Sequence, residues 1–178
     1  MNTLLTSIII GISLSMDTFS LSLIYGTMNI NNKNKILLSI IVGIYHFIMP
    51  LLGLFLGNII NNYIIINLNI LIGVIFILIS IQMITSIYKK EEQLPPISLL
   101  GYLIFGLSVS IDSFSTGIGL NVINPNYIEC SIIFMLISST FTYLGLHLGT
   151  TLNQKFGKYS TALGGIILLV LGVIYLLK

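Results

Sequence analysis

Charge is what this sequence has least of. Among its 178 residues there are 7 lysines or arginines and 5 aspartates or glutamates, or 7%. An ordinary soluble domain carries about 25%. So little charge cannot cover the surface of a soluble protein, which excludes a cytosolic enzyme, a nucleic-acid binder and a disordered tail. Tryptophan is absent, so any aromatic belt must come from the 9 tyrosines and 9 phenylalanines. One cysteine, Cys130, excludes an internal disulfide framework and reads as apolar packing. A net charge of +2 points to no polyanionic partner. There is no Walker-type phosphate loop, hence no ATPase within the chain. The apolar N-terminus has no basic flank and carries Asp17, which reads as a retained first membrane helix rather than a cleaved signal.

What is present in abundance is apolar residue, 56% of the chain. A membrane helix needs roughly 20 mostly apolar residues. Six runs qualify: 3–26, 36–60, 66–88, 97–120, 128–152 and 160–177. They are long, continuous and rich in Leu and Ile, unlike the short alternating strands of a barrel. The expected fold class is therefore all-α and integral to the membrane, with six transmembrane helices. With that count, Lys33, Lys35, Lys89, Lys90, Lys155 and Lys158 all fall on one side, and only Lys178 on the other. The positive-inside rule makes the lysine-rich side cytoplasmic and puts both termini outside.

The two halves of the chain resemble each other. Gly11, Ser13, Ser15, Asp17, Phe19 and Ser20 recur 95 residues later as Gly106, Ser108, Ser110, Asp112, Phe114 and Ser115. Leu52 to Gly57 (LGLFLG) recurs 92 residues later as Leu144 to Gly149 (LGLHLG), and Gly73 pairs more weakly with Gly165. Helices 1, 2 and 3 thus correspond to helices 4, 5 and 6. Three is odd, so the second copy must be inverted, an arrangement common in transporters with a site near the midplane. Expected boundaries are 1–88 for the first repeat, 89–96 for a cytoplasmic linker (KKEEQLPP) and 97–178 for the second repeat.

Three of the five acidic residues lie in loops or at a span edge: Glu91, Glu92 and Glu129. Asp17 and Asp112 alone lie inside spans. A charged Asp at mid-membrane costs about 2.5–3.5 kcal/mol on insertion scales, so such residues are functional candidates by default. Each sits in the pattern S-x3-D-x2-S, with Ser13 and Ser20 around Asp17, and Ser108 and Ser115 around Asp112. Spacings of three and four place these groups on one helix face. Two such faces meeting would form a cage of hard oxygens suited to Mg²⁺, Ca²⁺ or Mn²⁺. The serines have a second reading, bonded to the carbonyl four residues back. His46, four residues before Pro50, is a candidate ligand or a packed bridging group, because proline frees a helix carbonyl beside it. Its repeat counterpart is Ser138, a further supporting hydroxyl. His147, opposite Phe55 in the repeat, is a weaker candidate. The glycine pairs Gly53 and Gly57, Gly117 and Gly119, and Gly145 and Gly149 read as close helix contacts.

The segments SMDTFS and SIDSFS, the helix 2 segment G-I-Y-H-x-x-M-P-x-x-G from Gly43 to Gly53, and GGIIL from Gly164 resemble the manganese efflux pump family of the MntP type. The resemblance covers essentially the whole chain. It implies an inner-membrane exporter that protects cells from excess Mn²⁺, with Asp17 and Asp112 at the motif aspartates and His46 at a polar helix 2 position. No resident cofactor is expected. The expected partners are the lipid bilayer, a divalent ion and protons as counter-ion. Efflux would proceed by alternating access, in which buried carboxylates exchange protons for metal. Two other readings stay open. One is an exporter of another hard cation or small solute. The other is a non-transport scaffold or enzyme, for which the chain offers neither a soluble domain nor a nucleophile pattern.

Overall fold

A computed structural model describes residues 3–28, 30–63, 68–86, 97–149 and 155–177. The described residues form helices: α1 (Thr3–Gly26), α2 (Asn32–Tyr63), α3 (Leu68–Ser86), α4 (Leu99–Val109), α5 (Ile111–Gly117), α6 (Leu120–Ile123), α7 (Tyr127–Leu148) and α8 (Lys155–Leu176). The chain is an all-α membrane protein. Among the described residues α1, α2 and α7 are long and apolar enough to cross a bilayer, and α4 with α5 makes a fourth if the bent pair is one span. Long apolar side chains such as Phe55, Leu100, Ile111 and Leu136 cover the outside of the bundle. Lipid accepts such a surface; water would not. The expected linker 89–96, with its two lysines and two glutamates, lies outside the described residues.

The first helix spans 3–26, as the apolar run predicts. The fourth run, 97–120, is not one helix. It bends by 41° between α4 and α5, at Ser110. The cause is local competition for backbone groups. The Ser110 N–H turns to the Leu107 carbonyl, three residues back, and its hydroxyl donates to the same oxygen at 3.0 Å. Two residues on, Oδ1 of Asp112 accepts the Ser113 backbone N–H at 2.6 Å. A further turn tightens at Ile118 and Gly119, whose N–H groups bond the carbonyls of Ser115 and Thr116.

Glycines set how the helices pair. α1 runs parallel to α7. A Cβ on Gly11 would meet Phe134 and Ile137, and one on Gly145 would meet the Phe19 carbonyl at 2.8 Å and Ser22 at 2.7 Å. At the far end of the same pair, one on Gly149 would lie 3.0 Å from Gly26. α2 runs parallel to α4 and α5: Gly106 faces Ile41 and Tyr45, Gly117 faces Pro50, and Gly57 faces Ile118. α3 is antiparallel to α8, with Gly73 against Gly172 and Leu176, and Gly172 against Ile77. α2 also packs on α7, where Gly43 faces Met135 and Ser139.

Among the described residues the apolar core is split in two. One cluster joins Ile10 and Leu14 of α1, Leu54 of α2, Phe76 of α3, Leu120 of α6, Phe134 of α7 and Tyr175 of α8. The other joins Tyr25 of α1, Leu38 and Val42 of α2, Tyr102, Phe105 and Val109 of α4, and Leu146 of α7. In the second, the Tyr25 ring centre lies 5.0 Å from that of Phe105 and 6.4 Å from that of Tyr102.

Candidate cation site

Every helix that contributes to both clusters places polar residues between them. On α1 Asp17 follows Leu14 of the first cluster and precedes Leu21 and Tyr25 of the second. On α2 His46 falls between Val42 and Leu54. Along α4 to α6, Asp112 and Thr116 fall between Val109 and Leu120, and on α7 Ser138 falls between Phe134 and Leu146. The result is a polar layer midway along the bundle with an apolar plug on either side.

Both aspartates lie in this layer, within range for their charges to repel each other. Of Asp112, Oδ1 is engaged by Ser113, while Oδ2 is buried without a hydrogen-bond partner. His46 is fully buried. Its Nδ1 lies 3.0 Å from the Val42 carbonyl. A carbonyl only accepts, so Nδ1 carries the proton, and in the neutral ring Nε2 keeps a free lone pair. Nε2 is buried with no partner. Pro50 has no N–H to give the His46 carbonyl, so this residue offers two electron pairs. α2 touches α4 at Tyr45 with Gly106, and α5 at Pro50 with Gly117. Between these two contacts lie His46 on one side and Ser110, Asp112 and Ser113 on the other.

The motif serines divide. Ser13 is buried, and its hydroxyl donates to the Ile9 carbonyl at 2.8 Å. Ser20 is buried. Ser108 is exposed on the outside of the bundle and back-bonded to Ile104, so the structure does not bring it to the aspartates. Ser115 is half-buried and bonds the Ile111 carbonyl. The 41° bend at Ser110 falls between Ser108 and Asp112 and leaves them on different helices, α4 and α5, where Ser13 and Asp17 share one. Ser138 is fully buried and hydrogen-bonds Ser15 across the α1–α7 crossing at 2.8 Å. His147 is exposed and stacks on Tyr143, away from the layer. Among the described residues no three His, Cys, Asp or Glu side chains converge as a metal-binding group. Any coordination here must recruit hydroxyls or carbonyls.

Such hydroxyls are present, and they are not the ones the motif spacing singled out. Many serines and threonines of this chain bond the carbonyl one turn back, among them Ser7, Ser39, Ser131 and Thr142. Thr18 and Thr116 are fully or nearly fully buried and do not. Each leaves a hydroxyl without a partner, which costs about 1–3 kcal/mol. Thr18 follows Asp17 directly, and Thr116 lies one helical turn beyond Asp112. The Ser113 hydroxyl lies beside the Asp112 carboxylate without the alignment of a full hydrogen bond. The sequence signal for two of them was the repeat itself: Thr18 and Ser113 are equivalent positions, both hydroxylated.

A helical membrane bundle with two carboxylates in a polar layer between apolar clusters has the anatomy expected of a small-ion transporter. The family model described as "Putative manganese efflux pump" matches residues 29–176. Relatives named "Putative manganese efflux pump MntP" include one from Bacillus pumilus, 34% identical, with 96% of this chain and 93% of the relative covered. Another, from Geobacillus thermodenitrificans, is 33% identical over 93% and 91%. A third, from Bacillus licheniformis, is 33% identical over 98% and 94%. No solved structure matches. The chain belongs to this efflux pump family, a family of multi-pass membrane transporters rather than enzymes.

Proposed function

We propose that this protein exports a divalent cation, Mn²⁺ first, across the plasma membrane by alternating access with proton exchange. The single observation that carries the reading is the polar layer holding Asp17, Asp112 and His46 between two apolar plugs. The ion enters from the cytoplasm, and the two carboxylates neutralise its charge. Oδ2 of Asp112, Nε2 of His46 and the hydroxyls of Thr18, Ser113 and Thr116 supply electron pairs otherwise left idle. Ser13, Ser20 and Ser138 support the same layer. Efflux against an inward-negative potential costs about 4.6 kcal/mol for a divalent ion at 100 mV. Exchange for protons at the carboxylates provides the drive. Mn²⁺ is preferred because the curated relatives are named for it, and because oxygen with imidazole suits it.

Alternating access needs two gates, and we read the chain as an inverted repeat of six spans, 1–88 and 97–178, joined at 89–96, with both termini outside; the repeat is supported by the helix contacts. Adding 95 on helix 1 or 92 on helix 2 converts one set of contacts into the other. Gly53 faces Phe114 and Gly117 across α2 and α5; Gly145 faces Phe19 and Ser22, the equivalent positions, across α7 and α1. Gly57 faces Ile118 as Gly149 faces Leu23. The plugs exchange as well: Ile10 and Leu14 of one correspond to Phe105 and Val109 of the other, and Leu54 corresponds to Leu146. In the third helix pair the contacts equate Gly73 with Gly172 rather than Gly165, because Gly73 meets Leu176 as Gly172 meets Ile77.

The test uses inverted membrane vesicles from a manganese-exporter-deficient strain. Wild-type protein takes up Mn²⁺ when a proton gradient is imposed, and Asp17→Asn and Asp112→Asn each abolish uptake and manganese tolerance. Full activity in both variants refutes the reading. A panel of Mn²⁺, Mg²⁺, Ca²⁺ and Cd²⁺ separates manganese from other hard cations.

A further inference from the structure

We propose that the Ser15–Ser138 contact is one of two exchangeable latches, the other being Ser110 with His46, and that a cation held by His46 blocks the second latch from closing. This deepens the exporter reading above and rests on it. The four residues are two repeat-equivalent pairs: Ser15 corresponds to Ser110, and His46 to Ser138. All four are fully buried.

The two pairs are in different states. At the α1–α7 crossing, α1 runs unbroken through Ser15, whose hydroxyl reaches the Gly11 carbonyl at 2.7 Å and Ser138 at 2.8 Å. At the α2–α4 crossing the equivalent helix is broken. Ser110 has turned its hydroxyl away, to the Leu107 carbonyl, and Nε2 of His46 is left without a partner. One latch is closed and the other open. An apolar cleft of about 440 Å³ flanks the closed crossing, lined by Met16 and Phe19 of α1, by Phe141, Leu144 and Leu148 of α7 and by Tyr159 and Leu163 of α8, so α1 and α7 are not held together by close packing on that side.

The chemistry of the open latch ties it to the cargo. Nδ1 donates to Val42, so Nε2 has one lone pair and no proton. That lone pair accepts the Ser110 hydroxyl or binds a cation, never both. With an ion on His46, Ser110 stays turned away and the α2–α4 crossing stays open. Once the ion leaves, straightening at Ser110 brings its hydroxyl onto Nε2 and closes the crossing. The inverted symmetry then lets Ser15 and Ser138 part.

Two experiments on the full chain in vesicles test this. Ser110→Ala keeps His46 and removes its competitor. We expect Mn²⁺ binding, read from the electron paramagnetic resonance of free Mn²⁺, to be at least as tight as in wild type, with uptake about tenfold slower, the effect of roughly 1.4 kcal/mol on the barrier. Ser110→Thr restores the rate. Equal loss of binding and uptake marks a merely structural role and overturns the proposal, as does a wild-type rate. Independently, Ser15→Cys with Ser138→Cys, in a Cys130→Ser background, places two thiols where touching hydroxyls stood. Oxidation stops whatever uptake the reduced double variant retains, and reductant returns it to that level. Phe19→Cys with Phe141→Cys, one turn on, where the rings lie 6.0 Å apart, gives a second lock that spares the hydroxyls. Undiminished uptake by either cross-linked protein overturns the latch while leaving the exporter standing. Wild-type vesicles that take up no Mn²⁺ overturn both.

Discussion

A single methyl group at Gly53 tests the packing on which the site depends. A Cβ there would sit 2.9 Å from the Gly117 Cα, and closer still to the Phe114 carbonyl oxygen. Carbon atoms prefer separations of about 3.5–4.0 Å, so the Gly117 contact alone makes α2 and α5 part by roughly 0.6–1 Å, and the Phe114 carbonyl demands more. Both obstacles are backbone, and neither can rotate aside. Overpacking of this kind costs about 1–3 kcal/mol. Alanine recovers up to about 1 kcal/mol of helix propensity in water. In a bilayer that gain shrinks, because the backbone must be helical anyway. We therefore expect Gly53→Ala to destabilise by about 1–2 kcal/mol, lowering Tm in detergent by about 2–8 °C for a chain of this size. Displacement of α5 also shifts Asp112 within the polar layer, so uptake falls as well. The equivalent change, Gly145→Ala, meets the Phe19 carbonyl and Ser22 and behaves alike. Gly11→Ala is the control: its nearest obstacles are side-chain ends, Ile137 at 3.0 Å and Phe134 at 3.1 Å, which can shift. Thermal unfolding followed by circular dichroism, with vesicle uptake, reads all three. A Gly53→Ala protein as stable and active as wild type refutes the reasoning, as does a Gly11→Ala protein that loses as much.

Three more outcomes follow. Thr116→Val keeps the shape of a buried side chain but removes an unpartnered hydroxyl; we expect stability to hold or rise by about 1 kcal/mol while Mn²⁺ affinity falls, with Thr116→Ser retaining it, and titration of purified protein decides. Tyr25→Ala empties the centre of the aromatic plug against Phe105 and Tyr102, costing about 3–5 kcal/mol; Tyr25→Phe keeps the ring contacts and, read by Tm, most of the stability. Asn124→Ala removes the buried bond from its amide to the Ser7 hydroxyl at 3.2 Å; we expect a loss of about 0.6–1.7 kcal/mol, and manganese tolerance that is retained.

Asp17 and Asp112 were legible because a carboxylate inside an apolar run needs no fold to be conspicuous. His46 was legible through Pro50 four residues on. The serines were not, since a hydroxyl in a helix can always turn to the carbonyl behind it, and spacing does not say which one does. Ser13 and Ser108 match in sequence, yet one is buried and the other exposed. The break that separates them arises where Ser110 and Asp112 take backbone groups from the helix.

What this sequence determined by itself is the solvent it lives in, the span of its first helix, the likeness of two aspartate-bearing segments and the two carboxylates, because composition and repetition are properties of the chain alone. The tertiary structure decided which polar atoms are left without partners, that one of two equivalent helices is broken, and that the core is parted into two plugs. Those depend on which neighbour fills each face, and only the packed bundle supplies neighbours.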